Sequence, residues 1–125
     1  IIIYGKSLGT GITAQLASIK PCKRLILETP YYDFPSVISH YLPIYPVRRM
    51  LHYELPTHQY LEKTKVPVTI FQGTKDILVT YSNASRLKPL LKKGDEFVTI
   101  KGGGHNNLYS YRLLTEKLDS LLSLR

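Results

Sequence analysis

Four short apolar runs divide the chain, and the segments between them are amphipathic or rich in turn residues. The runs with the length and composition of strands are residues 1–4, Arg24–Glu28, Pro67–Gln72 and Glu96–Ile100. The first of them, Ile-Ile-Ile-Tyr, is apolar throughout and rich in β-branched side chains, which predicts a fully buried strand.

Three segments show the periodicity of helices: Leu8–Ile19, Tyr81–Leu91 and Asn107–Leu124. In the first, the apolar residues that recur on one face are Leu8, Ile12, Leu16 and Ile19. In the last, the leucines predicted to face the core are Leu113, Leu114, Leu118, Leu121 and Leu122. Strands alternating with helices predict an α/β fold with a parallel sheet of about four strands and flanking helices.

Residues 29–65 differ from the rest because prolines and tyrosines dominate them. Frequent proline limits such a stretch to short helices and turns, so we predict an irregular, cap-like insert. An aromatic-rich insert that follows the carboxyl end of a strand often contributes ligand contacts. Tyr31 and Tyr32 are therefore candidates for substrate contacts. The alternative is that the tyrosines only cover the sheet.

Length and composition favour a single globular domain over residues 1–125. The net charge is +8, but the basic residues are scattered, which argues against nucleic acid. Such a charge favours solubility, and weak attraction to an anionic membrane surface is the alternative. A single cysteine, Cys22, excludes an internal disulfide and fits a reducing compartment, which favours a cytoplasmic protein. No signal peptide is visible, but the chain begins inside a predicted strand and without an initiator Met, so this observation carries little weight. His40, His52 and His58 lack the spacing of a metal site.

Residues Gly5–Gly9 carry the clearest chemical signal: Gly-Lys-Ser-Leu-Gly lies between the first strand and the first helix. This is the G-x-S-x-G pattern of a nucleophile elbow, in which a sharp turn lifts Ser7 out of the sheet. Gly5 and Gly9 suit the turn because its backbone is strained and its flanks pack closely. The backbone N–H of Leu8 is then placed to help hold an oxyanion.

Asp76 and His105 lie where partners of such a serine are expected. Asp76 follows the third strand, and His105 follows the fourth after Gly102–Gly104. An acid at the first place can orient a histidine at the second, and the order Ser, Asp, His distinguishes one hydrolase fold from two others. The alternatives are that Asp76 stabilises a turn and that His105 caps the last helix.

Two phosphate-binding motifs compete for the same glycines. The Gly-Lys-Ser at residues 5–7 resembles the end of a P-loop, but the β-branched residues before it suit a strand better than a phosphate cradle. The second motif is G-x-G-x-x-A, formed by Gly9, Gly11 and Ala14, with Glu28 as the ribose-binding acid of a nucleotide-binding module. It leaves Asp76 and His105 unexplained.

Three stretches together resemble the α/β-hydrolase family of serine hydrolases. They are residues 4–11 (Tyr-Gly-Lys-Ser-Leu-Gly-Thr-Gly), 71–76 (Phe-Gln-Gly-Thr-Lys-Asp) and 103–108 (Gly-Gly-His-Asn-Asn-Leu). The Ser-Leu-Gly-Thr-Gly elbow and the His-Asn-Asn-Leu ending are similar to the branch that contains the protein depalmitoylases and their bacterial relatives.

The resemblance implies Ser7 as nucleophile, Asp76 as acid and His105 as base. It also implies hydrolysis of an ester or thioester in a small molecule or acylated substrate, through an acyl-enzyme and without cofactor.

Family members have about eight strands with the elbow after the fifth, so this chain corresponds to the C-terminal half of the sheet. The loop that supplies the second oxyanion N–H is then missing, which costs ~10²–10³ in rate. We therefore expect little activity from this stretch alone, and a non-catalytic half-domain is the alternative. The bare edge of the first strand also invites self-association.

Overall fold

The computed structural model describes residues 1–123. The strands are β1 (Ile2–Lys6), β2 (Arg24–Glu28), β3 (Val68–Gly73) and β4 (Glu96–Ile100). The helices are α1 (Gly9–Ile19), α2 (Phe34–Tyr41), α3 (Val47–Met50), α4 (Thr57–Lys63), α5 (Tyr81–Ser85) and α6 (Arg112–Ser123). All strand pairs are parallel and the sheet order is β1-β2-β3-β4, which confirms the predicted fold class.

The register of the sheet brings the carboxyl ends of all four strands to one edge. Gly5 pairs with Leu27, Leu27 with Ile70, and Ile70 with Phe97. Because the strands are parallel, the segments that leave β1, β3 and β4 start close together. This edge therefore gathers the three segments that carry the predicted site residues.

Alternation along β2 divides the core into two layers. Leu25 and Leu27 pack on one face of the sheet with Ala14 of α1 and Leu61 of α4. Ile26 points to the other face, where a second cluster contains residues of α6. Helices thus cover both faces, which explains why β3 is buried along its whole length.

The predicted inner face of α1 was wrong. Ile12 is 59% exposed and Ile19 is 69% exposed, and Leu8 and Leu16 are exposed as well. The buried positions are instead small: Thr10, Gly11, Ala14 and Ala17. Large side chains on the inner face would hold α1 away from the sheet, so close approach selects the small residues.

Two other helix predictions need correction. The segment Tyr81–Leu91 divides into α5 and a 3₁₀ turn at Lys88–Leu90, since Pro89 has no N–H for a continuous helix. The last helix begins at Arg112, after a 3₁₀ turn at Leu108–Ser110; its predicted end at Leu124 lies outside the described residues. Of its five predicted core leucines, Leu114 and Leu121 are buried and Leu118 is partly buried, while Leu113 and Leu122 are exposed.

The edge strand β1 is also less buried than predicted. Ile1 is exposed and residues 2–4 are only half-buried, because β1 pairs with β2 alone within residues 1–123. Residues 29–65 form three short helices, α2 to α4, and α4 packs against α1. No helix in residues 1–123 has the length and apolar character needed to span a membrane.

Candidate active site

Ser7 occupies a strained turn between β1 and α1. Its φ is +54°, a left-handed conformation that residues with a Cβ seldom adopt. The Ser7 N–H donates to the carbonyl oxygen of Glu28 at 2.9 Å, and Thr10 Oγ1 donates to the Ser7 carbonyl at 2.6 Å. These bonds hold the serine at the carboxyl edge of the sheet.

Ser7, His105 and Asp76 form a continuous hydrogen-bonded chain. Ser7 Oγ lies 2.8 Å from His105 Nε2, and His105 Nδ1 lies 2.9 Å from Asp76 Oδ2. The side chains of His105 and Asp76 are 9% and 0% exposed. The structure therefore brings together all three residues that the sequence singles out, with the histidine in the middle.

The Asp76 carboxylate is fixed from both sides. Its Oδ1 accepts the backbone N–H groups of Leu78 and Val79 at 2.9 Å each. The buried amide of Gln72 donates to Val79 O at 2.9 Å and lies 3.4 Å from Asp76 Oδ2. With Oδ1 occupied by the turn, Oδ2 is left to face His105. Asp76 thus both stabilises a turn and contacts the histidine.

The segment that carries His105 lies directly on the end of β3. A Cβ added to Gly73 would lie 2.5 Å from the carbonyl carbon of Gly103, so only glycine fits there. Gly103 O accepts the Lys75 N–H at 2.9 Å, and Tyr111 Oη donates to Gly102 O at 3.0 Å. Gly102 has φ +81°, which glycine adopts without strain. The glycines that precede His105 therefore serve close contact as well as chain reversal.

An apolar cavity of about 290 Å³ opens beside the serine. Its lining comes from the elbow, from α2 and from the turn after Asp76, namely Ser7, Leu8, Phe34, Val37, Ile38, Tyr41, Leu78 and Val79. The α2 residues were not predicted from the sequence. A signal was present, because positions 34, 37, 38 and 41 have helical spacing and Asp33 caps the helix by accepting the Ser36 N–H.

A second cleft, of about 440 Å³, borders His105. Its lining residues are Lys75, Ile77, Leu78, Gly104, His105, Asn106 and Asn107. Leu78 lines both spaces. The serine–histidine pair thus lies between an apolar cavity and a more open cleft.

Tyr31 and Tyr32, predicted as substrate contacts, line neither space. Tyr31 is fully buried and its hydroxyl donates to the Leu8 carbonyl at 2.9 Å. Burial raises the pKa of Tyr31 to about 12, so the phenol remains a donor that braces the elbow. Tyr32 stacks on His58, with the ring centroids 4.0 Å apart, and on the Arg86 guanidinium. Both tyrosines are supporting residues.

The two glycines that flank the elbow, Gly5 and Gly9, differ in how closely they are packed. A Cβ on Gly5 would come within 2.8 Å of Thr13 Cβ, in agreement with the expected close packing, whereas nothing lies within 4 Å of a Cβ on Gly9. Leu8 is the N-cap of α1, and within residues 1–123 its backbone N–H donates to no acceptor. That N–H is therefore free to bind a ligand atom.

The placement of Gly11 and Glu28 does not fit dinucleotide binding. Gly11 lies inside α1, and a Cβ there would be 2.5 Å from Tyr31 Oη. Glu28 is completely buried and accepts a hydrogen bond from Tyr4, so a ribose cannot reach its carboxylate. Both residues support the sheet and the elbow. No cluster of three or more His, Cys, Asp or Glu side chains suited to a metal occurs in the part of the chain that the structure describes.

A parallel sheet with a serine elbow after one strand and an acid and a histidine after later strands is the architecture of an α/β hydrolase. The comparisons with solved structures agree. The esterase domain of a Rhodothermus marinus protein superposes with a TM-score of 0.74 at 16% identity, over 96% of this chain and 59% of that one. An α/β serine hydrolase homologue from Coxiella burnetii gives 0.64 at 20% identity, over 100% and 49%.

Sequence comparison identifies relatives of the same class. The α/β hydrolase domain-containing protein 17C of Xenopus tropicalis is 29% identical, over 98% of this chain and 38% of that protein. The human α/β hydrolase domain-containing protein 17B is 27% identical, over 98% and 41%. No protein-family model matches the chain. The chain thus has homologues among the α/β hydrolases, shares their fold and spans about two fifths of these relatives' length.

Proposed function

We propose that the protein containing this chain is a serine hydrolase that cleaves carboxylic esters or thioesters through an acyl-enzyme. The observation that carries the proposal is the hydrogen-bonded chain from Ser7 Oγ through His105 to Asp76, with distances of 2.8 and 2.9 Å. A serine within hydrogen-bond reach of a histidine that a carboxylate orients is the arrangement that activates a hydroxyl as nucleophile.

The chemistry follows from this geometry. His105 Nε2 takes the Ser7 proton as Oγ attacks the carbonyl carbon, and the free N–H of Leu8 donates to the oxyanion that forms. The intermediate expels an alcohol or thiol, which leaves with the proton held on His105. Water then repeats the sequence on the acyl-enzyme and releases the acid and the serine. Asp76 keeps the imidazole oriented and stabilises the imidazolium that forms.

The two spaces beside the site support an assignment of the substrate's halves. An apolar acyl chain fits the cavity between Leu8, Val37 and Val79, which offers almost no polar partner. The leaving group receives its proton from His105, so it must lie in the cleft that His105 borders. That cleft is open enough for a bulky alcohol or thiol.

The first test is covalent labelling. We expect a fluorophosphonate to add once to the complete natural protein that contains this chain, and the adduct to disappear in Ser7→Ala. Intact mass after incubation measures this directly, and circular dichroism of the variant controls for folding. An unmodified mass at all probe concentrations in a folded protein would contradict the proposal and favour a non-catalytic half-domain.

A second test addresses the acyl group. Each methylene buried in the cavity contributes about 0.8 kcal/mol, so kcat/KM for a series of linear thioesters should rise about fourfold per carbon until the cavity is full. Val37→Phe narrows the cavity and should shift the best substrate to a shorter chain. Val66→Ile, which enlarges a side chain packed against the Leu25 and Leu27 layer and outside the cavity lining, is the control and should leave the preferred length unchanged. The same length profile in Val37→Phe would argue against this acyl site.

A further inference from the structure

A completely buried carboxylate lies next to the elbow without a part in the chemistry described above. Glu28 ends β2 opposite Lys6, and its side chain has no exposure to solvent. Its Oε2 accepts the hydroxyl of Tyr4 at 2.6 Å, while Oε1 has no hydrogen-bond partner within residues 1–123. The Lys6 ammonium lies 3.9 Å from Oε1, outside hydrogen-bond range. A buried carboxylate this sparsely paired is costly, so its retention needs a reason.

The hydrogen bond from Tyr4 continues to the histidine segment. Tyr4 Oη lies 2.9 Å from Tyr109 Oη, and Tyr109 is in the 3₁₀ turn that follows His105. Because the phenol of Tyr4 gives its single hydrogen to Glu28, it accepts the hydrogen of Tyr109. The direction of donation is therefore Tyr109 to Tyr4 to Glu28.

Two further features strengthen this connection. Burial and the hydrogen bond to Glu28 raise the pKa of Tyr4 well above its ordinary value, which keeps its hydroxyl protonated. The Lys6 ammonium lies 5.4 Å from the centre of the Tyr109 ring, within range of a cation–π contact. Tyr4 and Lys6, on either side of Gly5, thus both hold Tyr109.

We propose that Glu28 is a positioning residue which, through Tyr4 and Tyr109, holds the segment carrying His105 against the elbow. The proposal rests on the proposed function, since it concerns the same serine–histidine pair. Ser7 and His105 lie 98 positions apart in the chain, and Glu28 also holds the Ser7 N–H through its own carbonyl. One residue therefore contacts the serine side directly and the histidine side through two phenols.

Tyrosine-to-phenylalanine substitutions separate this role from packing, because they remove one oxygen and keep the ring. The variants are Tyr4→Phe and Tyr109→Phe in the complete protein, and Tyr53→Phe is the matched control. Tyr53 is 74% exposed and packs only edge-on against His52 in the described structure. Glu28→Gln retains an acceptor for Tyr4, and Glu28→Leu does not.

The principal measurement is the rate of fluorophosphonate labelling at saturating probe. We expect the rate to fall ~10- to 150-fold in Tyr4→Phe and Glu28→Leu, the factor for a lost hydrogen bond to a charged acceptor. The probe concentration at half-saturation and the final labelled fraction should stay unchanged, and Glu28→Gln should recover most of the rate. A structural defect would instead lower the labelled fraction. Rates in Tyr4→Phe and Tyr109→Phe equal to that of Tyr53→Phe would overturn the proposal.

Hydrogen exchange gives a readout that needs no catalysis. Amides of residues 102–111 should exchange faster in Tyr4→Phe and Tyr109→Phe, while those of β3 stay protected. If the wild type takes no label, the proposed function is wrong, and exchange alone decides the positioning role. Unchanged exchange in residues 102–111 would then overturn it, and faster exchange would support it.

Discussion

The contact between Gly73 and Gly103 allows a sharp test of how the site is held together. Replacing Gly73 with alanine adds one methyl group at the end of β3, and that methyl would meet the carbonyl carbon of Gly103 at 2.5 Å. An ordinary contact needs about 3.4 Å, so Gly103 must move by about 1 Å. The opposing atoms are backbone, and no rotamer change can relieve the clash.

The consequence for the site follows from the position of Gly103, two residues before His105. Displacing that backbone by about 1 Å stretches the 2.9 Å bond between His105 Nδ1 and Asp76 Oδ2 beyond hydrogen-bond range. Misplacement of a catalytic group by this distance lowers the reaction rate about 10²-fold, and loss of the orienting carboxylate lowers it about 10⁴-fold. We therefore expect Gly73→Ala to lower the labelling rate of Ser7 by ~10²–10⁴, and stability by ~1–3 kcal/mol.

The matched control is another glycine-to-alanine change that destabilises without touching the site. Gly94 lies in the turn before β4, at the opposite end of that strand from His105, and has φ +94°. Alanine there costs ~1–2 kcal/mol through its backbone conformation. Thermal unfolding and labelling kinetics are measured on both variants. Gly94→Ala should lower Tm and leave the labelling rate within about twofold of the wild type.

The decisive quantity is the ratio of labelling rates at equal stability loss. If Gly73→Ala and Gly94→Ala lower Tm equally and label equally fast, the contact does not set the His105–Asp76 geometry. A normal rate in Gly73→Ala would show that the His105 segment adapts to the added methyl group and that the backbone contact does not position His105.

Two other substitutions test separate features. Gly9→Ala should raise Tm slightly and leave the labelling rate unchanged, because nothing lies within 4 Å of the new methyl group and alanine stabilises α1 by up to ~1 kcal/mol. A large loss of labelling rate would instead indicate that Gly9 is closely packed. Burial opposes ionisation of Asp33, but hydrogen bonds from Arg48 and Ser36 prevail and lower the pKa of Asp33. Asp33→Asn should therefore lower the free energy of unfolding by ~1 kcal/mol at pH 7. A lowered pKa stabilises the fold only above the unfolded pKa of about 3.9, so the difference in stability between the variant and the wild type should vanish as pH falls from about 5 through the folded pKa. Denaturant unfolding at pH 7, 5 and 3 measures this difference, and a difference that stays constant with pH would contradict the ion-pair explanation.

The apolar runs were sufficient to predict the sheet because a buried parallel strand needs a continuous run of large side chains. The predicted bounds of β2 and β4 match the structure, and those of β1 and β3 differ by a residue or two. Ser7, Asp76 and His105 could be placed together because each follows a strand, and parallel strands end at one edge. Their mutual distances could not be predicted, since they depend on contacts such as Gly73 with Gly103.

The residues around the site were harder to predict, because the number of aromatic residues in a segment does not indicate which of their side chains face the site. Tyr31 and Tyr32 stand at the start of the insert, yet one braces the elbow and the other stacks on His58. Half of the cavity lining comes from the next helix, α2, where the helical spacing of Phe34, Val37 and Ile38 lies in a proline-rich stretch that by composition predicts turns. The periodicity of one short helix was a better indicator of the cavity-lining residues than their aromatic character.

The error in α1 has a physical explanation that also bears on the position of the serine. Periodicity assigns the core face to the largest apolar residues, but α1 begins two residues after Ser7 and must lie close to the sheet. Gly5 admits Thr13, and Gly11 admits the Tyr31 hydroxyl that bonds the Leu8 carbonyl. A larger side chain at either contact would lift the helix and carry Ser7 away from His105. The small residues of the elbow and α1 therefore determine where the hydroxyl lies, and the large exposed residues on the same helix are free to serve other contacts.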